Sequence, residues 1–256
     1  MKKAKFVVIL ALLVVMLAAG CQKQQSLPSP TIGPDAKLVC LFFDDCWQNQ
    51  YDVALPILLQ HDFKATFGVI TGVIGTGQDF FKYMGEEELN ELAEYDMDIA
   101  CHTRTHPDLT ANLTDEQLRE EIINSKKHLE KLGFEVRTFV YPYFTWNDDV
   151  VGYVKEAGYI YARSGGHIQR EPYDLKAIDP NARYHVGSFP ITNQSFDEFK
   201  EIVAEASEYL VVCLTYHFIS DTGPEETSTP VKNFCEQMRY LKEAGFTVVL
   251  LPGLAE

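Results

Sequence analysis

The sequence predicts an α/β fold, a single domain built as a barrel, closed or incomplete, and three observations carry that expectation. Short apolar runs alternate with amphipathic helical patterns from Lys37 to Leu251. Neither an internal repeat nor a second linker divides that stretch. The chain has 256 residues, 46% hydrophobic and 23% charged, which is enough for one sizeable core and too apolar for wholesale disorder.

At the N-terminus, Lys2, Lys3 and Lys5 precede the apolar run from Phe6 to Ala19. That run is short of the roughly 20 residues a bilayer span needs and suits a secretory leader. It ends Leu17-Ala18-Ala19-Gly20-Cys21, which resembles the bacterial lipobox. The resemblance implies cleavage of residues 1–20, lipid on Cys21, and a membrane-anchored, extracytoplasmic lipoprotein. Residues 21–36 carry three Pro and no aromatic, as expected of a flexible tether, which leaves residues 37–254 as the domain.

The strands are expected at 37–43, 65–70, 97–101, 136–141, 159–163, 209–215 and 247–251, each a short buried-type run. Helices lie between them. Thr114 and Gln117 form a capping box, Leu118, Ile122, Leu129 and Leu132 share one face, and Gly133 ends that helix. Ser195 and Glu198 start another, with Phe196, Phe199, Ile202 and Val203 on its apolar side. Seven strands favour a barrel over a small open sheet, and barrel chemistry sits on the loops after the strand C-termini.

Charge narrows the partners. With 22 Lys+Arg against 37 Asp+Glu the formal charge is −15. Removing the leader takes away three Lys and gives 19 − 37 = −18. Such a surface argues against nucleic acid. Six cysteines are too few for a disulfide scaffold. With Cys21 lipidated, five remain, so at least one stays unpaired within the monomer.

Four polar clusters fall at strand ends. Asp44 and Asp45 follow the first strand, so one carboxylate can ligate a metal while the other faces a bound water. His102 and His106 follow the third, and their spacing lets a turn-like loop bring both imidazoles to one side, with Pro107 stopping a long helix. Tyr141-Pro142-Tyr143 follows the fourth, and Leu214-Thr215-Tyr216-His217 ends a later strand.

Together these clusters resemble the polysaccharide deacetylases with NodB homology, carbohydrate esterase family four, from about Leu38 to Pro252. Phe42-Phe43-Asp44-Asp45 is similar to the family's first motif and His102-x-x-x-His106 to its second. Val140-Tyr141-Pro142-Tyr143 is similar to its third, and Leu214-x-x-His217 to its last. The resemblance implies a distorted (β/α)7 barrel and metal-dependent removal of acetyl groups from a polysaccharide. It assigns Asp45, His102 and His106 to a divalent metal, zinc by ligand type, with cobalt, nickel or iron also compatible. It makes Asp44 the base, the Tyr143 backbone N–H an oxyanion donor, His217 the acid, and Leu214 the lining of the acetyl slot.

Two departures stand out. The family's third-motif Arg is Val140 here, and its Asp-Trp fourth motif is not visible. Arg163, at the end of the fifth strand, is expected to reach Asp44 across the barrel mouth in its place. The Arg-x-Pro-Tyr at Arg170–Tyr173 follows the fifth strand and is read as coincidence. Trp47 and Trp146 are candidate platforms for sugar rings. Cys40, Cys101 and Cys213 read as small buried hydrophobes, and nothing in the sequence sets an oligomeric state.

Overall fold

The structure, a computed structural model, describes residues 36–165, 182–206 and 211–254. The leader, Cys21, the tether, His167 and Arg170 lie outside the described residues.

The seven expected strands are present: β1 (Lys37–Phe43), β2 (Thr66–Val69), β3 (Asp98–Cys101), β4 (Thr138–Val140), β5 (Tyr161–Arg163), β7 (Val211–Tyr216) and β10 (Phe246–Val248). Three two-residue strands were not foreseen: β6 (Phe189–Pro190), β8 (Phe218–Ile219) and β9 (Ser228–Thr229). Segments that short carry no periodicity to read. The main sheet is parallel and runs β5-β4-β3-β2-β1-β7-β6. β10 joins at the start of β1, pairing Lys37–Val39 with Phe246–Val248.

The sheet curls until one short segment serves both edges. Val186 bridges to Arg163 on β5, with Val186 N–H donating to Ala162 at 2.9 Å and Ser164 N–H donating to Val186 at 2.7 Å. Three residues on, β6 pairs Phe189 and Pro190 with Leu214 and Thr215 of β7. The (β/α)7 architecture is thus distorted at this seam, as expected.

Seven α-helices cover the described sheet: α1 (Leu55–Gln60), α2 (Glu86–Glu94), α3 (Asp115–Arg119), α4 (Ser125–Lys131), α5 (Asp148–Glu156), α6 (Phe196–Ala206) and α7 (Val231–Glu243). The Thr114 box starts α3 as the sequence requires: Gln117 N–H donates to its hydroxyl and Gln117 Oε1 accepts from its N–H. A π-helical stretch at Glu120–Asn124 joins α3 to α4, and Gly133 ends the run at φ +105°.

Strand alternation sorts the core into two layers. Val39, Leu41, Phe43, Cys101, Ala162, Leu214 and Tyr216 face the helices, packed with Leu58, Leu129, Phe199, Phe234 and Met238. Leu38, Cys40, Phe42, Ala100, Val140, Tyr161, Val186, Cys213 and Val249 fill the barrel interior. Cys40, Cys46, Cys101, Cys213 and Cys235 are free thiols, and the first four are buried.

Candidate active site

The interior alternation delivers the site. Continuing Leu38, Cys40 and Phe42 by two residues places Asp44 in the barrel mouth, where it is 2% exposed. Two residues likewise carry Ala100 to His102 and Tyr161 to Arg163, and four carry Cys213 to His217. Asp45 has the opposite parity. It comes back to the mouth because its backbone leaves the strand at φ +76°, followed by Cys46 at +67°. Such values are costly for residues with a Cβ and persist only where packing imposes them.

Asp45 Oδ1 lies 3.5 Å from His102 Nε2 and 3.5 Å from His106 Nε2. One donor atom from each of these residues fits within 4.8 Å of the others. Val140, where an Arg was absent, supplies its carbonyl instead: it lies 2.8 Å from His102 Nδ1. A carbonyl can only accept, so Nδ1 carries a proton toward Val140, which leaves Nε2 as the ring atom that faces Asp45. Burial alone would raise the Asp45 carboxyl. The hydrogen bond from His102 and the imidazoles of His217 and His106 outweigh it and hold the group well below the usual carboxylate range. Burial, then the neighbouring His102, pushes His106 down to about 4. A carboxylate oxygen beside two imidazole nitrogens, all within reach of one another, is a donor set that fits a divalent ion.

Arg163 meets Asp44 as expected. Its Nη2 donates to Oδ1 at 2.6 Å and to Oδ2 at 2.5 Å, and the side chain is fully buried. The guanidinium lies between the rings of Phe42 and Phe144, at 5.3 and 5.1 Å. Its Nε and Nη1 have no hydrogen-bond partner among the described residues. Across the mouth, His217 Nε2 is 3.9 Å from Asp44 Oδ2. His217 Nδ1 is buried and also lacks a partner there. Tyr143 adopts φ +53°, is 61% exposed, and sets its ring 4.7 Å from His106.

Two expectations are corrected. Leu214 cannot line an acetyl slot at the mouth, because its strand parity turns it into the helix-facing core, fully buried. Trp47 offers no open face to a sugar: it is sandwiched between Tyr83 at 4.2 Å and Phe218 at 4.4 Å. Its indole Nε1 instead donates to Asp45 Oδ2 at 3.1 Å. Trp146, the other candidate platform, is partly buried against the core and stacks one face on His185 at 4.3 Å, an arrangement that does not decide that role.

Two supporting residues escaped sequence reading. Gln50, fully buried, donates through Nε2 to the backbone carbonyls of Asp44 (2.5 Å) and His217 (2.9 Å), tying two strand ends together. Glu121 accepts from Arg104 N–H and Thr105 N–H, both at 2.8 Å, and from the Thr105 hydroxyl at 2.6 Å. It thereby clamps the loop carrying both histidines. Gln50 follows Asp44 closely in sequence, a signal of a kind, whereas Glu121 stands among acidic helix positions and gives none.

Fold and site define the class of protein. Residues 31–162, just over half of the chain, match the family model for polysaccharide deacetylase. The chain belongs to that family. YxkH of Bacillus subtilis (strain 168), assigned as a polysaccharide deacetylase, is 30% identical over 127 residues, covering 49% of this chain and 44% of its own. The poly-β-1,6-N-acetyl-D-glucosamine N-deacetylase of Staphylococcus aureus (strain MRSA252) is 27% identical over 171 residues, covering 62% of this chain and 56% of its own. The chain spans about half the length of the curated relatives it matches. The family 4 carbohydrate esterase domain of a xylanase from the hindgut metagenome of Trinervitermes trinervoides superposes with TM-score 0.59 at 19% identity, over 86% of this chain and 89% of that one. A family 4 carbohydrate esterase from Bacillus anthracis does so with TM-score 0.54 at 20% identity, over 87% and 84%.

Proposed function

We propose that the domain is a divalent-metal-dependent N-deacetylase of an acetylated cell-envelope or extracellular polysaccharide, held at the membrane by lipid on Cys21. One observation carries the reading: a buried carboxylate clamped by an arginine stands beside an Asp/His/His donor set, with a histidine facing it. The relative named for poly-β-1,6-N-acetyl-D-glucosamine makes a β-linked N-acetylhexosamine polymer the first substrate to try.

Asp45, His102 and His106 would hold the ion, zinc by donor type, with cobalt, nickel or iron compatible. A bound ion supplies Lewis acidity to the acetyl carbonyl and acidity to the attacking water. Asp44 accepts the proton of that water, and Arg163 keeps its carboxylate aimed while balancing a second negative charge next door. The backbone N–H of Tyr143 steadies the developing oxyanion. His217, opposite Asp44, delivers a proton to the departing amine, a step amides require because an amide anion leaves poorly.

Incubating the zinc- or cobalt-loaded domain with a panel of N- and O-acetylated glycans tests this. Release of acetate with matching free amine is expected, and no acetate from any member of the panel would overturn it. Among the described residues nothing meets Nδ1 of His217, which favours a second reading, an O-acetyl esterase, since a histidine without a partner there is a less well-oriented acid. Acetate without new amine would mark that activity. His217→Ala separates the two further: it should slow amide hydrolysis far more than hydrolysis of an activated ester, measured on the same preparation.

A further inference from the structure

The two oxygens of Asp45 have different surroundings. Oδ1 faces the imidazoles, 3.5 Å from Nε2 of both His102 and His106. Oδ2 turns away and accepts the Trp47 indole N–H at 3.1 Å. We propose that Trp47 is a positioning residue of the metal centre, holding Asp45 as a one-oxygen ligand by occupying Oδ2. The proposal rests on the metal-dependent reading above and deepens it.

The indole is built into place on three sides. Tyr83 and Phe218 stack on its faces at 4.2 and 4.4 Å, and Phe81 meets it edge-on at 6.0 Å. Its backbone is zipped to a neighbouring segment, with Met84 N–H donating to Cys46 at 2.9 Å and Gln48 N–H donating to Lys82 at 2.8 Å. Asp45 itself lies outside the strand ladder. It stands beyond the end of β1 at φ +76°, off the alternation that fixes Asp44. Left alone, that carboxylate could rotate or present both oxygens. An N–H delivered by a rigid ring to one oxygen removes both freedoms, and outer-shell donors of this kind tune metal affinity in general. Trp47, expected to serve sugars, thus serves the ligand set.

Trp47→Phe tests the idea cleanly, because phenylalanine keeps a ring for Tyr83 and Phe218 to pack on and removes only the N–H. Zinc affinity, read by competition with a chromophoric chelator, should fall about 10- to 100-fold. The melting temperature of the metal-free protein should stay that of the parent. Affinity unchanged in a folded Trp47→Phe protein would overturn the proposal. A second readout does not depend on that variant folding. The chain has two tryptophans, so Trp146→Phe leaves one indole N–H signal in an 15N–1H spectrum. Zinc draws charge from the ligated carboxylate and weakens Oδ2 as an acceptor, so this signal should move upfield. A signal indifferent to zinc would equally overturn the proposal. His102→Ala serves as the control: zinc binding that does not depend on His102 would sink the metal reading itself, whereas His102-dependent binding insensitive to Trp47→Phe would sink only this inference.

Discussion

Asp44 and Asp45 are consecutive in sequence and opposite in circumstance. Asp44 follows the barrel alternation and meets a buried guanidinium, while Asp45 breaks it and meets two imidazoles and an indole. Arg163 shares no ligand with the donor set, so its removal separates the two jobs. Arg163→Ala is expected to cut turnover by roughly 10- to 1000-fold, the scale of one charge-assisted contact of about 1.5–3 kcal/mol plus lost aim. Metal content by elemental analysis should be unchanged. Turnover equal to the parent's would show that Asp44 needs no partner from β5. Because Arg163 also packs between Phe42 and Phe144, the variant should lose stability as well, since it leaves a buried carboxylate unpaired.

At the scale of elements, the histidine loop depends on a helix it does not belong to. Glu121, in the π-helical stretch between α3 and α4, holds Arg104 and Thr105 from below. Glu121→Ala should weaken zinc retention by about 10- to 100-fold in chelator competition while leaving the far side of the mouth, Arg163 on Asp44, intact. At the opposite end of the barrel, Asp98 opens β3 and accepts the hydroxyls of Thr66 and Thr138, each at 3.0 Å. Burial pushes its carboxyl up to about 6, with those hydroxyls holding it partly back. Below pH 4 the carboxyl is protonated folded or unfolded and costs nothing. Between pH 4 and 6 the unfolded chain releases its proton first, so the native state loses stability as pH rises, by about 2–3 kcal/mol once both are ionised. Asp98→Asn should therefore raise the melting temperature at pH 7, and thermal scans at pH 4 should show that gain gone. These elements also mark what a sequence can disclose. The seven strands of three or more residues and the Thr114 box were legible, because apolar runs and capping are local patterns. Asp44, Asp45, His102, His106 and His217 were legible as clusters at strand ends, and Arg163 from the strand order. Gln50, Glu121 and the true neighbours of Trp47 and Leu214 were not, since each depends on which segment the fold lays alongside, or on a parity that one residue of strand register decides.

On the scale of the whole molecule, the domain is expected to work at the end of a lipid tether. Cys21→Ser should leave the protein unprocessed or free it from membranes, and fractionation identical to the parent would refute the anchor. The domain's own assembly has a fixed schedule. β1 is the hub of the sheet, yet only β2 reaches it from nearby sequence, at Phe42 and Phe43. Its remaining registers wait for β7 and for Phe246–Val248 at the far end of the chain. A chain that emerges N-terminus first therefore carries the Asp44–Asp45 pair for almost its whole length before the strand beneath them can be completed. Such non-local pairing slows folding and prolongs the exposure of an apolar, unpartnered strand. The barrel mouth encoded near Asp44 is therefore framed only after β7 has come in beside Phe42 and Phe43, and β1 is fully flanked only once Phe246–Val248 pairs with its first residues.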